Sequence, residues 1–344
     1  MKYKFLNDYS EGCHPAILEK LTQTNYAQQS GYGNDEYSES AVEKIRLACR
    51  NEALDVHFVS GGTQANLLVM AAFLKPYESV IAAESGHINT HEAGAIEATG
   101  HKIEYSPAPD GKLTPELMAK HLLKFPKYHT VKPRLVYISN STEYGTLYTR
   151  RELEALHTFC RENELLLFID GARLAMALMA GENDLTLEDL SRLCDAFYIG
   201  GTKCGALFGE AIVISNPALQ TDFRYHVKQR GAMLAKGRSL GIQFDVLFTD
   251  HLIFDLAARA NRLGAKLAEA FRQLGLAFLT PPQTNQVFPV LPDTVIQKLA
   301  ERYEFFEWQV IDENSKALRL VVSWATPEEA VDRFVQDLKA CYPL

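Results

Sequence analysis

Between Asp55 and Ser215 the chain alternates between short, nearly continuous apolar runs and longer stretches with helical spacing. The runs are "DVHFVS", "SVIAAE", "KIEYSP", "RLVYIS", "LLLFID", "AFYIGG" and "EAIVIS". A strand with one wet face alternates apolar and polar residues, whereas one covered on both faces is apolar at almost every position. The pattern therefore predicts an α/β fold, a mostly parallel, seven-stranded sheet with helices on both faces. Helix starts agree with that division: Ser40 with Glu43 and Thr149 with Glu152 have capping-box spacing, and Thr114 precedes Pro115.

After Ser215 the pattern changes. A long amphipathic stretch, "TDHLIFDLAARANRLGAKLAEAFRQLG", predicts one helix, followed by "QVFPVL", another helix, "FFEWQVI", "ALRLVVSW" and a last helix. This reads as a smaller α+β unit. The expected division is an N-terminal segment over residues 1–15, a large domain over 16–249 and a small C-terminal domain over 250–344.

A length of 344 residues suits two domains, and an apolar fraction of 47% with 23% charged residues excludes disorder. The 35 Lys+Arg against 43 Asp+Glu leave a net charge of −8 with no basic run, which argues against nucleic acid. No run approaches the ~18 apolar residues of a membrane span, and "MKYKFLNDYSEG" lacks a signal peptide's apolar core, so a cytoplasmic enzyme of small molecules is expected. The six cysteines form no CxxC pair and read as small buried hydrophobes, with no metal site.

Three turns carry chemistry. In "HFVSGGTQANLLVMAAF" a strand meets a glycine pair and a helix, so Gly62, Thr63 and the free N–H groups of the helix start can hold a phosphate; a plain tight turn is the alternative. Neither the GK[ST] of a P-loop nor a GxGxxG is present, against a nucleotide. In "LLLFIDGARLAMAL" Asp170 ends a strand, where ligands bind in such sheets, or caps the following helix. In "IGGTKCGALFG" Lys203 follows a strand in a small-residue loop; a lysine enclosed there has a lowered pKa and can form a Schiff base. A phosphate site, a carboxylate and an amine on strand ends together match pyridoxal 5′-phosphate. His87, after "SVIAA", either lies flat on the cofactor ring or is structural, and His91 reads as a helix-face residue.

Over nearly its whole length the chain resembles the low-specificity L-threonine aldolases of the β-eliminating lyase group. The anchors are "GYGNDEYSESAVEKI", "GGTQANL", "HINTHEAGA", "FIDGARL", "GGTKCGALFGEA" and "LRLVVSW". The resemblance implies the fold-type-I architecture of aspartate aminotransferase and assigns the Schiff-base lysine to Lys203, the pyridinium partner to Asp170 and the ring-stacking histidine to His87. Phosphate contacts fall on Gly62 and Thr63. Arg173 falls near cofactor and substrate, and Arg319 on the substrate carboxylate. Asn7 stands near that carboxylate where relatives more often have serine. Tyr32 matches a tyrosine that reaches the neighbouring subunit's site, which implies a homodimer or homotetramer with shared active sites.

One departure touches the substrate. Where many relatives carry a histidine that contacts the β-hydroxyl, this chain reads "NSTEYGTLY", with Glu143. That carboxylate either accepts the hydroxyl proton as general base or pairs with an arginine or water. The implied reaction is cleavage of L-threonine- or L-allo-threonine-like β-hydroxy-α-amino acids to glycine and an aldehyde. β-Elimination or racemisation on another amino acid would use the same lysine, aspartate and arginine. A non-enzymatic sensor or scaffold would have lost the lysine or the aspartate, and both are present.

Overall fold

The computed structural model describes residues 2–124 and 128–342. Its central sheet contains β1 (Asp55–Val59), β2 (Glu78–Ala83), β3 (Ile103–Ser106), β4 (Lys132–Ser139), β5 (Leu166–Asp170), β6 (Ala196–Gly200) and β7 (Glu210–Ile214). The order is β1-β7-β6-β5-β4-β2-β3. All neighbours are parallel except β7, which runs antiparallel to both β6 and β1. Every apolar run read from the sequence forms one of these strands.

Alternation along the strands feeds two separate cores. Ile81, Val136, Ile138, Leu167, Ile169, Phe197 and Ile199 pack on one face. Their chain neighbours Val80, Ala82, Leu135, Tyr137, Phe168 and Tyr198 pack on the other. Each such fully buried large side chain contributes ~1.5–3 kcal/mol, so the doubly covered sheet is the rigid frame of the molecule.

A second sheet holds β8 (Gln286–Val287), β9 (Val290–Pro292), β10 (Phe306–Asp312) and β11 (Ser315–Val321), with β11 pairing antiparallel to each of the others. Its buried face packs against α1 (Leu252–Gln273) and α2 (Glu328–Cys341) through Leu267, Phe271, Leu318, Leu320 and Phe334. Phe5 joins this core from the far end of the chain, with the Phe334 ring centroid 5.2 Å away. No helix among the described residues is long and apolar enough to cross a membrane.

Local readings hold in part. Thr149 and Glu152 form a reciprocal capping box, and Thr114 caps the helix that opens at Pro115. Ser40 does not start a helix: Asp35 caps Glu36–Ala48 by accepting from the Ser38 N–H, and the Ser40 hydroxyl instead donates to Asp245 at 2.6 Å. The long helix opens later than its pattern suggests, at Leu252, because Asp250 and His251 adopt left-handed φ of 49° and 62°. Five of the cysteines are buried and Cys341 is partly exposed, all as free thiols.

Candidate active site

The C-terminal ends of the parallel strands open into a cleft of about 590 Å³, roofed by the second sheet. Its lining includes Asn7, Gly62, Thr63, His87, Glu143, Asp170, Arg173, Lys203 and Arg319. Nine positions scattered from 7 to 319 in the sequence thus converge on one space.

Asp170, the last residue of β5, is 4% exposed, and both its oxygens are fully engaged. Oδ1 accepts from the Tyr198 hydroxyl (2.5 Å) and the Ala172 N–H (3.0 Å); Oδ2 accepts from the Tyr137 hydroxyl (2.6 Å) and the Asn66 amide (3.0 Å). Burial alone would raise its pKa. The field of His87 and the donated hydrogen bonds outweigh burial and hold the carboxyl below its ordinary value. The alternative of a helix cap does not apply, because the next helix, Leu174–Leu178, has Arg173 at its N-cap and no side-chain cap bond among the described residues; Asp170 is a preorganised acceptor at a strand end. Gly171 follows it because a Cβ there would overlap the Tyr198 carbonyl oxygen.

The helix Gly62–Phe73 begins at this edge with no side-chain cap among the described residues, leaving its first N–H groups turned to the cleft. A Cβ on Gly62 would sit 2.9 Å from the Tyr198 hydroxyl oxygen, so only glycine lets the turn lie against the tyrosine that holds Asp170. Lys203 is held by a loop folded back on itself, where the Gly201 and Thr202 N–H groups both donate to the Gly209 carbonyl. Burial and the nearby Arg173 guanidinium lower the pKa of its amine, although Asp8, Asp170 and Glu210 oppose them.

His87 opens a four-residue turn of helix after β2, and its Nδ1 lies 2.8 Å from Glu92, which also accepts from Asn66. Asn66 donates in turn to Asp170, so histidine and aspartate share one network. Glu143 fastens to the same turn: its Oε1 accepts from the His87 N–H (3.0 Å) and the Ser139 hydroxyl (2.7 Å). Burial pushes its pKa up, against those two hydrogen bonds and with help from the charge of Asp170. Arg173 is largely buried and paired in a fork with Asp8 at 2.7 and 3.0 Å, and Asn285 completes the pair. Asn7 accepts from the Tyr9 N–H and the Ser10 hydroxyl at the cleft mouth.

On the roof, Arg319 lies 5.1 Å from the Trp308 ring and 5.4 Å from that of Phe306. His91 is not a helix-face residue: it terminates the His87 turn, stacks at 5.5 Å on the His87 ring and lines the cleft. Tyr32 lies outside the cleft of its own chain. It is 47% exposed and left-handed at φ 62°, with its carbonyl accepting from Arg224.

Several cleft residues gave no signal in the sequence reading. Asn66, Glu92, Tyr137 and Tyr198 reach the site only through contacts that the sheet creates. Glu210 could have been noticed as a charge opening the otherwise apolar "EAIVIS". It is 4% exposed, accepts from the Thr202 hydroxyl and the Gly201 N–H, and is pushed up to about 8 by burial.

A mostly parallel sheet of this order, with a carboxylate, an amine and a glycine turn at its strand ends, defines a fold-type-I enzyme. The aspartate aminotransferase of Thermus thermophilus has the same fold, with a TM-score of 0.72 at 14% identity over 99% of this chain and 91% of that one. A family model for β-eliminating lyases matches residues 5–294, and the chain belongs to that family. It is 33% identical over 341 residues to the low specificity L-threonine aldolase of Pseudomonas aeruginosa, spanning 98% of this chain and 97% of that protein. It is 31% identical over 344 residues to the enzyme of that name from a Pseudomonas species. The structure of a threonine aldolase from Leishmania major superposes with a TM-score of 0.97 at 47% identity, covering 98% of this chain and 99% of that one.

Proposed function

We propose that the chain cleaves β-hydroxy-α-amino acids of the L-threonine type to glycine and an aldehyde, as a carbon–carbon lyase dependent on pyridoxal 5′-phosphate. The cleft fits that group. The uncapped helix start at Gly62 and Thr63 offers N–H groups to a phosphate, Asp170 offers a preorganised anion to a ring nitrogen, His87 offers a flat face, and Lys203 offers an amine whose pKa is lowered. When bound, the group supplies an aldehyde for amines and a sink for the electrons of the broken Cα–Cβ bond.

The protein's own residues do the rest. Arg319, between two aromatic rings, holds the substrate carboxylate, and Asn7 stands at the same mouth. Arg173 keeps its fork on Asp8 and presents its remaining face to the cleft. Glu143 takes the β-hydroxyl proton on its carboxylate, and the network through Glu92 and Asn66 fixes His87 relative to Asp170.

The observation that carries this reading is Glu143 in one cleft with Lys203, Asp170 and Arg319. The test is a panel of L-threonine, L-allo-threonine, L-serine and phenylserine, with aldehyde and α-keto acid measured separately. Glycine with aldehyde is the expected outcome; α-keto acid with ammonia would move the activity to β-elimination.

The reading extends to assembly and domain division. The exposed, left-handed Tyr32 suits a loop that reaches a second copy, and sedimentation as an active monomer would refute it. The break at Asp250–His251 supports a division of the chain near residue 250, which limited proteolysis tests by cutting there first.

A further inference from the structure

Gln286 is a buried amide on the wall of the cleft. It lies on β8, is 1% exposed and lines the cleft, and neither its Oε1 nor its Nε2 has a hydrogen-bond partner among the described residues. Leaving a buried polar group unpaired carries a real penalty, and a leucine or methionine of similar size would avoid it. Its neighbour Val287 shows the alternative: that side chain points the other way, into the apolar core.

The register says what Gln286 faces. Gln286 pairs with Val321 and Val287 with Leu320 across an antiparallel ladder. Opposed residues share a face, and so do residues two apart. Leu318 and Leu320 belong to the core behind the sheet, so Arg319, Val321 and Gln286 occupy the cleft face together, with Phe306 opposite Arg319. Arg319 is also unfinished: its Nε has no partner among the described residues, and Nη2 reaches only the Leu6 carbonyl at 3.4 Å.

We propose that Gln286 is a second anchor for the substrate's α-carboxylate, its Nε2 donating to that group beside the Arg319 guanidinium. The inference rests on the reading of the substrate as an α-amino acid. A carboxylate can accept from both, because its two oxygens offer about four acceptor sites. Hydrogen bonds to an ionised acceptor are the stronger kind, so the amide contributes affinity as well as orientation.

The experiment titrates holoenzyme with glycine and with methylamine, which is glycine without its carboxylate, following the cofactor absorbance to obtain dissociation constants. Q286M keeps the volume and removes the donor; it should weaken glycine binding about tenfold. Q286E sets a like charge against the carboxylate and should weaken it further, by roughly another tenfold. Methylamine binding should stay within twofold for both. Glycine affinity within twofold of wild type in both variants, or an equal loss for methylamine, overturns the proposal while leaving the lyase reading intact. Wild-type holoenzyme that does not bind glycine overturns both. Q286E preserves a polar side chain at the site, so the charge comparison survives if Q286M fails to fold.

Discussion

On the floor of the cleft every oxygen of Asp170 is engaged, Arg173 is forked onto Asp8, and His87 is tied through Glu92 and Asn66. On the roof, by contrast, the buried Gln286 and the part-buried Arg319 line the cleft with polar atoms unused, beside the rings of Phe306 and Trp308, whereas the unused floor atoms, Asn66 Oδ1 and Glu92 Oε2, belong to residues outside the cleft lining. The difference is one of tenancy. A group that stays through every turnover is best met by charges already held in place, since no reorganisation then accompanies the chemistry. A molecule that enters and leaves each cycle must instead find open valences on arrival, because a partner already satisfied by the protein would have to be displaced.

If that division is right, floor and roof substitutions should separate in their kinetics. The largest effect is expected from Asp170→Asn, which keeps the shape of the strand end and removes the anion. Turnover should fall about 10³-fold with much of the cofactor retained, and near-normal turnover would reduce Asp170 to a structural acceptor for Tyr137 and Tyr198. Glu143→Gln should lower kcat about 10²-fold, as for a positioned base. Its pH profile sharpens the point. The base works ionised, and burial raises its pKa, so the acid limb of wild-type kcat should lie above the ordinary value of ~4.3 and disappear in the variant. On the roof, Trp308→Ala removes a ring beside the guanidinium and should raise KM by about 3–10-fold with kcat nearly unchanged. An equal loss of kcat would erase the distinction between the two surfaces.

The smallest effect concerns Glu210, a floor carboxyl that burial pushes up to about 8. Its folded value of about 8 lies above the ~4.3 of an unfolded chain. The folded state therefore keeps a proton that the unfolded state has released, and stability is lost as pH rises through that window. Glu210→Gln, neutral throughout, should melt with the wild type near pH ~4 and above it by about 2 °C or more near pH ~8, in cofactor-free protein. A gap that opens in the opposite direction would show that Glu210 is ionised.

The floor was more legible than the roof, for a physical reason. Asp170 ends an apolar strand and Lys203 and Gly62 follow one within three residues, so their place at the sheet edge follows from local pattern. Asn66, Tyr137 and Tyr198 act on Asp170 across 104, 33 and 28 positions, and a helix asparagine or a strand tyrosine carries no mark of that duty. Gln286 was hidden for the same reason, since only the register with Val321 turns it toward the cleft. The misread helix start at Ser40 arose because two acceptors compete locally: Asp35 takes the cap, and Ser40 serves the contact with Asp245.

Phe5 and Asp8 give the site an order of completion. Phe5 is built into the core of the roof, and Asp8 closes on Arg173 and Asn285, which lie 165 and 277 positions further along the chain. At a synthesis rate of ~5–20 residues per second, roughly 15–55 s separate the appearance of Asp8 from that of Asn285. Through that interval Asp8 lacks one of the two partners that hold it. Lys203 emerges in the meantime, ahead of Gln286, Phe306, Trp308 and Arg319, which line the same cleft from the second sheet. The enclosure of the lysine is thus set by contacts between residues made far apart in time, and not by the strand that precedes it.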